Sequence, residues 1–353
     1  MKLSQFRLSG SHVSRRWTIV LGLVALAALL QVAAGVGLSY VEGFSAVHHV
    51  LERFSPIWLA GIGGGIVISF VGYYLVYSEI YKVKGGPKLS RGQMASVVIA
   101  GFGGFLAHGG AALDEYALEG AGAKEREAKV RVAALGGLEH GILGLGGCAA
   151  AVAILLLGLS APPLDFSVPW AVAPIPGFLI AFWLAKRNEG RWRDAEGWRR
   201  KVGIFIDSIL LIRAIFRRPI EHLPALAGMS LFWAADLFAA WCGLAMFGFR
   251  MNGAQFIVGM GTGMIFSRRT GPLGGAGLLT LVLAVTVMYS GAPFAVAIAG
   301  IFAYRVLAMW VPMPFSLASL PTLRAIGEEK VPGAEGTAGS DKAEPALGGQ
   351  VAS

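Results

Sequence analysis

Charge is scarce in this chain. Asp, Glu, Lys and Arg make up only 14% of 353 residues, while 55% are hydrophobic. One soluble core could not bury that much apolar surface, which excludes a single water-soluble domain and makes a bilayer the natural solvent. Cysteine is scarcer still. The two present, Cys148 and Cys242, lie in apolar stretches far apart in sequence, so no C-x-x-C metal or redox motif exists and both read as helix-packing residues. Nothing matches a P-loop, a zinc motif or a Ser-His-Asp set. The adjacent His48 and His49 have no further ligands beside them, so neither a metal nor any other cofactor is expected.

Glycine, by contrast, is abundant. Fifty glycines are spread through apolar, alanine-containing stretches. The absence of a three-residue period excludes collagen, and small residues of this kind let membrane helices approach closely. The formal net charge of +9 sits in short segments between apolar runs rather than on a soluble face. Nucleic acid is therefore not the expected partner; an anionic membrane surface is.

Runs long enough to cross ~30 Å of hydrocarbon extend over Trp17 to Leu38, Ile57 to Tyr81, Arg131 to Leu159, Val168 to Ala185, Leu223 to Phe247 and Pro293 to Pro312. The first follows Lys2, Arg7, Arg15 and Arg16, like a secretory signal. It is too long for one and ends without an A-x-A site, so it reads as a retained span. Two further apolar regions are interrupted: 93–122 by His108-Gly109-Gly110 and Asp114-Glu115, and 253–290 by Arg268-Arg269 and the glycines after Pro272.

Basic loops stay on the cytoplasmic side. The N-terminal tail, the 82–91 loop with Lys82, Lys84, Lys88 and Arg91, and the mostly basic 186–218 stretch are all expected there, in a multi-pass protein of the plasma (inner) membrane with both termini cytoplasmic. The 40–56, 161–167 and 248–252 connections are then outward. This arrangement requires each interrupted region to enter and return, as two spans or as a re-entrant hairpin. The expected organisation is a tail at 1–16, a transmembrane domain at 17–320 and a disordered cytoplasmic tail at 321–353, which is poor in large apolar residues. Within the 186–218 linker, apolar residues from Val202 to Ile212 suit an interfacial helix or one packed on the bundle.

The first half, about 55–160, and the second, about 220–313, share one plan: span, link, broken hairpin, span. Gly-Gly-Ala-Ala-Leu-Asp-Glu at 109–115 aligns with Gly-Gly-Ala-Gly-Leu-Leu-Thr at 274–280. The halves enter from opposite sides, the mark of an inverted-topology repeat whose substrate site lies near discontinuous helices. The expected fold is thus an all-α, polytopic transmembrane helix bundle with two inverted-repeat halves and broken or re-entrant helices.

Ionisable groups at membrane depth are costly and become site candidates. Arg268 and Arg269 precede Pro272-Leu273-Gly274-Gly275-Ala276-Gly277, where guanidinium forks, exposed backbone N–H groups and a helix N-terminus would suit a phosphate. They equally mark the cytoplasmic end of a full span. Asp114, Glu115 and Glu119, followed by Lys124, Arg126, Lys129 and Arg131, fit a salt-bridged cytoplasmic face or a cation site. Glu139 and His140 interrupt an apolar helix and could relay protons or form a structural pair. Asp236 and Arg305 are a lone acid and a lone base in mid-span, expected to face inward and be partnered with each other or with Glu139.

Pro272-Leu273-Gly274-Gly275-Ala276-Gly277, then Gly291-Ala-Pro and Tyr304-Arg305 ahead of Trp310 and Pro312, resemble the membrane domain of lysylphosphatidylglycerol synthases and related stand-alone flippase-like proteins. The resemblance spans about residues 55–325, with its specific part near the C-terminal end. It implies a domain that holds or moves an aminoacylated phosphatidylglycerol or a polyprenyl-linked sugar between leaflets. Where the family pattern has a Glu after the glycine turn, this chain has Thr280, and Glu115 takes the corresponding place in the first half. The aminoacyl-transferase domain of the bifunctional synthases has no counterpart after Arg324, so aminoacylation by this chain alone is not expected.

These features make the expected partner an anionic phospholipid or polyprenyl-phosphate lipid. Arg268, Arg269, Arg305, Gly274, Gly275 and Gly277 would hold its headgroup, and Glu139, His140, Asp236, Glu115 and Thr280 would line the cavity. The alternatives are a scaffold recruiting a cytoplasmic enzyme through the 186–218 region, and an intramembrane enzyme, which lacks an evident nucleophile.

Overall fold

The structure, a computed structural model, describes residues 13–87, 89–103, 106, 110–159, 164–193, 195–264 and 272–328. Helices α1 (Val13–Glu42) and α2 (Phe44–Leu51) precede a first half made of α3 (Ile57–Lys82), α4 (Arg91–Gly101), α5 (Gly110–Gly120) and α6 (Glu125–Leu157). Then α7 (Leu164–Val172) and α8 (Pro174–Arg187) form one broken span, and α9 (Gly197–Arg217) leads to the second half. That half comprises α10 (Leu223–Ala245), α11 (Gly253–Gly263), α12 (Leu278–Tyr289) and α13 (Phe294–Trp310), followed by α14 (Met313–Ala318) and α15 (Leu320–Glu328). The described residues contain no strand. Six helical segments are long and apolar enough to cross a membrane, and the protein is an all-α polytopic membrane helix bundle.

Two faces follow from the contacts at the helix ends. On the basic face, Arg131 near the start of α6 donates to the Ile80 and Val83 carbonyls at the end of α3. His222, before α10, meets Glu79 of α3 at 3.0 Å. On the opposite face, the Ser55 N–H donates to the Met246 carbonyl, and Trp58 and Trp241 pack edge to face. So α3 and α10 run antiparallel, and the two interrupted regions start from opposite faces.

Neither interrupted region crosses. Helices α4, α5 and α11 have 11 residues each and α12 has 12, which at 1.5 Å per residue gives about 16–18 Å, roughly half of the ~30 Å hydrocarbon thickness. Each is a re-entrant hairpin that goes in and comes back, as the charge pattern requires. Their entry arms start with matching devices. Ser90 and Gln93 form a reciprocal capping box on α4, and the Asn252 side chain accepts from the Ala254 N–H on α11, satisfying backbone donors that otherwise lack partners.

The halves are also built alike in their packing. In each, the first span packs on the entry arm, the arms on each other, the return arm on the last span, and the first span on the last. Between the halves, α3 lies along α10 through small residues. A Cβ on Gly65 would lie 2.7 Å from the Ala235 carbonyl oxygen, and one on Gly72 would lie 2.6 Å from that of Gly228, so the backbones touch directly.

Two expectations need correction. The chain is not disordered from residue 321: α15 runs to Glu328 and packs on α4 and α5, burying Leu323 and Ile326. Three-residue spacing of Leu320, Leu323 and Ile326 puts an apolar stripe on one helical face, which overall composition conceals. The last transmembrane helix of the first half begins at Glu125, not Arg131. Its first turns extend beyond the apolar run, where Arg126 pairs with Asp207 at 2.8 Å and Arg200 with Glu125 at 3.0 Å. Of the two readings of the linker helix, packing on the bundle prevails, because α9 buries Ile206, Leu211, Ile212 and Ile215 and contacts α6 and α8. Residues 329–353 and most of the N-terminal tail lie outside the described residues.

Candidate functional site at the hairpin tips

The two hairpins meet. The Leu273 N–H, in the short turn Pro272–Gly275 that precedes α12, donates to the Leu106 carbonyl of the first hairpin at 3.0 Å. Because the arms are half a membrane long and start from opposite faces, this junction falls near mid-depth. Leu273 has φ 53, the one positive value at a non-glycine among the described residues, and such backbone costs about 1–2 kcal/mol. Burial of its side chain against Ala27, Ala276, Met309 and Met313 opposes that cost.

Gly277, with φ 77, caps α12. A Cβ there would lie 2.7 Å from the Leu30 carbonyl oxygen, so α1 presses on the tip where only glycine fits. Beside Leu30, the buried Gln31 reaches into the α12 N-terminus. Its Oε1 accepts from the Thr280 hydroxyl at 3.1 Å and the Gly277 N–H at 3.4 Å, while its Nε2 has no hydrogen-bond partner.

The spans carry two buried acid–tyrosine pairs. The Tyr304 hydroxyl of α13 lies 2.9 Å from each carboxylate oxygen of Asp236 on α10. The Tyr73 hydroxyl of α3 donates to Glu139 of α6 at 3.2 Å, and the Trp233 indole donates to the Glu139 carbonyl at 2.7 Å. Each pair joins the first and last spans of one half, with acid and tyrosine exchanged. Tyr304 follows Glu139 by the same interval that separates Gly109-Gly110 from Gly274-Gly275. Phe102, at the end of α4, packs edge-on against Tyr73 at 5.1 Å, bringing the first tip to the Glu139 pair. Hydrogen bonding of this kind makes a buried carboxylate tolerable at membrane depth.

The predicted residues are placed as follows. Arg268 and Arg269 lie outside the described residues. Gly274 and Gly275 form the tip turn, Gly277 caps α12, and Thr280 is fully buried against Gln31. Arg305, next to Tyr304, is only 1% exposed. Asp114 is buried one turn into α5, with Glu115 half-buried beside it. Asp236 faces inward as expected, with Tyr304 as a partner.

Glu139 and His140 diverge, since consecutive helical residues point about 100° apart. His140 contacts the Gly136 carbonyl at 2.8 Å. It lines a separate groove of about 580 Å³ between α6, α7, α8 and α11, walled by Trp170 and Phe178. Gly141 and Gly144 bring the α6 backbone against Phe178.

Sequence reasoning missed Gln31, Tyr73 and Trp233. Gln31 carried a signal, as the one amide in the run from Trp17 to Leu38. The aromatic pair did not, since Tyr and Trp are ordinary in spans and only the fold shows which of them face a carboxylate. No protein-family model matches the chain, and a search of curated proteins finds no match.

Proposed function

We propose that this integral membrane protein binds an anionic lipid, or a polyprenyl-phosphate-linked one, at the hairpin tips and carries its headgroup between leaflets. What supports the reading is the meeting of two half-length hairpins from opposite faces, with the Tyr73–Glu139 pair beside the first tip and a second acid–tyrosine pair and Arg305 buried in the second half. Broken helices at mid-depth are how membrane proteins bring backbone donors and helix ends to a polar cargo inside hydrocarbon. The two halves, alike in plan and inverted with respect to each other, suit a site offered to either leaflet in turn. The resemblance to the membrane domain of lysylphosphatidylglycerol synthases supplies the lipid class, and Arg268 and Arg269 are assigned the phosphate. In this reading the basic face is cytoplasmic, the membrane is the plasma (inner) membrane, and the protein is a transporter rather than an enzyme.

The test is lipid movement in proteoliposomes. Arg268→Ala combined with Arg269→Ala is expected to abolish translocation of a fluorescent phosphatidylglycerol while the protein still elutes as a folded species. Unchanged translocation removes the proposal.

One observation favours a second reading, a scaffold for a cytoplasmic enzyme. Arg191, Arg193, Arg199 and Trp198 line an open cavity of about 530 Å³ on the basic face. Reversing those three arginine charges would abolish partner recruitment in that case and leave lipid movement intact in the first.

A further inference from the structure

Helix α1 belongs to neither repeat, yet it places one polar group in the tip region. Gln31 is 1% exposed and is the single amide or charged residue in a run otherwise fit only for lipid and helix contact. Its orientation is set by its partners: the Gly277 N–H can only donate, so the side-chain oxygen must face it, and the amide nitrogen is turned elsewhere. That nitrogen has no acceptor. A buried, unmatched N–H pair is destabilising, and a leucine would serve α1 packing without that cost. The α12 N-terminus, into which this side chain projects, adds a positive partial charge from its backbone N–H groups. An unmet donor beside a positive helix end selects for an acceptor carrying negative charge.

We infer that Gln31 Nε2 donates to a phosphate oxygen of the transported headgroup, with the nearby α12 N-terminus contributing its positive partial charge, so that α1 is a third contributor to the site beside the two hairpins. This rests on the functional reading above and adds a binding residue to it. The same chemistry could accept inorganic phosphate, so the test carries both probes.

Gln31→Glu keeps the shape and both accepted hydrogen bonds but replaces the free donor with a negative oxygen. Thermal stabilisation of the detergent-solubilised protein by phosphatidylglycerol, and separately by inorganic phosphate, is compared for wild type and Gln31→Glu. The apparent affinity for the anionic probe is expected to fall at least tenfold, with no change toward diacylglycerol, which has no phosphate. Stabilisation by the lipid alone assigns the phosphate to a headgroup; stabilisation by inorganic phosphate too assigns a general phosphate site. Equal affinity in both proteins for both probes overturns the inference.

Should Gln31→Glu fail to fold, Gln31→Leu with Thr280→Val removes the donor together with its neighbour and is expected to show the same loss. The two proposals fail separately. If Arg268→Ala with Arg269→Ala stops translocation while Gln31 variants bind and transport normally, the role of Gln31 is lost and the transport reading stands. If the arginine variant transports normally, that reading falls whatever Gln31 does.

Discussion

The Leu273 N–H and the Leu106 carbonyl form a backbone hydrogen bond of 3.0 Å between two hairpins that start from opposite faces of the protein. A disulfide needs Cα atoms roughly 4.4–6.8 Å apart, a range that a direct backbone bond brings within reach. With Cys148 and Cys242 replaced by alanine, Leu106→Cys with Leu273→Cys is expected to cross-link on mild oxidation. A protease site placed in the 188–196 loop makes the result legible on a gel: one band when oxidised, two after reduction. Two bands under both conditions would mean that the tips do not meet.

The bond from Tyr304 to Asp236 should weigh more on stability than that from Tyr73 to Glu139. Tyr304 lies 2.9 Å from both carboxylate oxygens, and both residues are almost fully buried, whereas Tyr73 reaches one oxygen at 3.2 Å. A hydrogen bond to a charged group contributes about 1.5–3 kcal/mol. Tyr304→Phe is expected to lower the midpoint of thermal aggregation by several degrees and Tyr73→Phe by less. Asp236→Asn combined with Tyr304→Phe should lose less than the two single changes added together, since one interaction is removed twice. Strict additivity would show that the pair is not coupled.

The spans were legible in the sequence because crossing a bilayer is a local requirement, met by about twenty apolar residues wherever they fall. Hairpins as opposed to spans were not legible. Met94 to Gly101 and Gly253 to Gly263 have the same Gly, Ala and aliphatic content as a full crossing, and what ends them is contact between tips far apart in sequence. The paired glycines at 274–275 did mark a turn, and Gly110 opens α5. The partners of Glu139 and Asp236 depend on how α3, α10 and α13 rotate against one another, which the Gly65 and Gly72 contacts set and composition does not. For the same reason Gln31 looked like an isolated polar residue until α1 docked on Gly277.

Packing of α3 on α10 tests the glycine argument directly. At Gly72 a Cβ would lie 2.6 Å from the Gly228 oxygen and from the Phe232 nitrogen, both backbone atoms that cannot rotate away, whereas a Cβ at Gly64 would meet nothing within 4 Å. Overpacking a close contact typically costs 1–3 kcal/mol, and Gly72→Val should lie at or above about 3. Gly64→Val on the same helix should stay within about 0.5 kcal/mol of wild type. The measurement is recovery of monodisperse protein by size-exclusion chromatography after a temperature series. Similar losses at the two positions would mean that helix propensity, not the α3–α10 contact, sets the outcome.

Arg131 closes the end of α3, and the size of its contribution can be divided between two sets of bonds. Its guanidinium donates to the Ile80 and Val83 carbonyls at 2.7 and 2.9 Å and to Glu127 at 2.8 and 3.1 Å. Arg131 is buried, but Glu127 is 39% exposed; a pair with one solvated partner contributes about 0–1 kcal/mol. The carbonyls are different, because the last turn of a helix has no internal donors for them and each charge-assisted bond contributes about 1.5–3 kcal/mol. Arg131→Ala is therefore expected to cost about 3–6 kcal/mol and Glu127→Gln less than about 1. Arg131→Lys should recover only part of the loss, since one ammonium cannot reproduce a planar fork that reaches both carbonyls and the carboxylate. Thermal melts of the three variants in the same detergent decide it: a Glu127→Gln loss as large as that of Arg131→Ala would show that the ion pair, and not the closure of α3, holds this corner of the basic face.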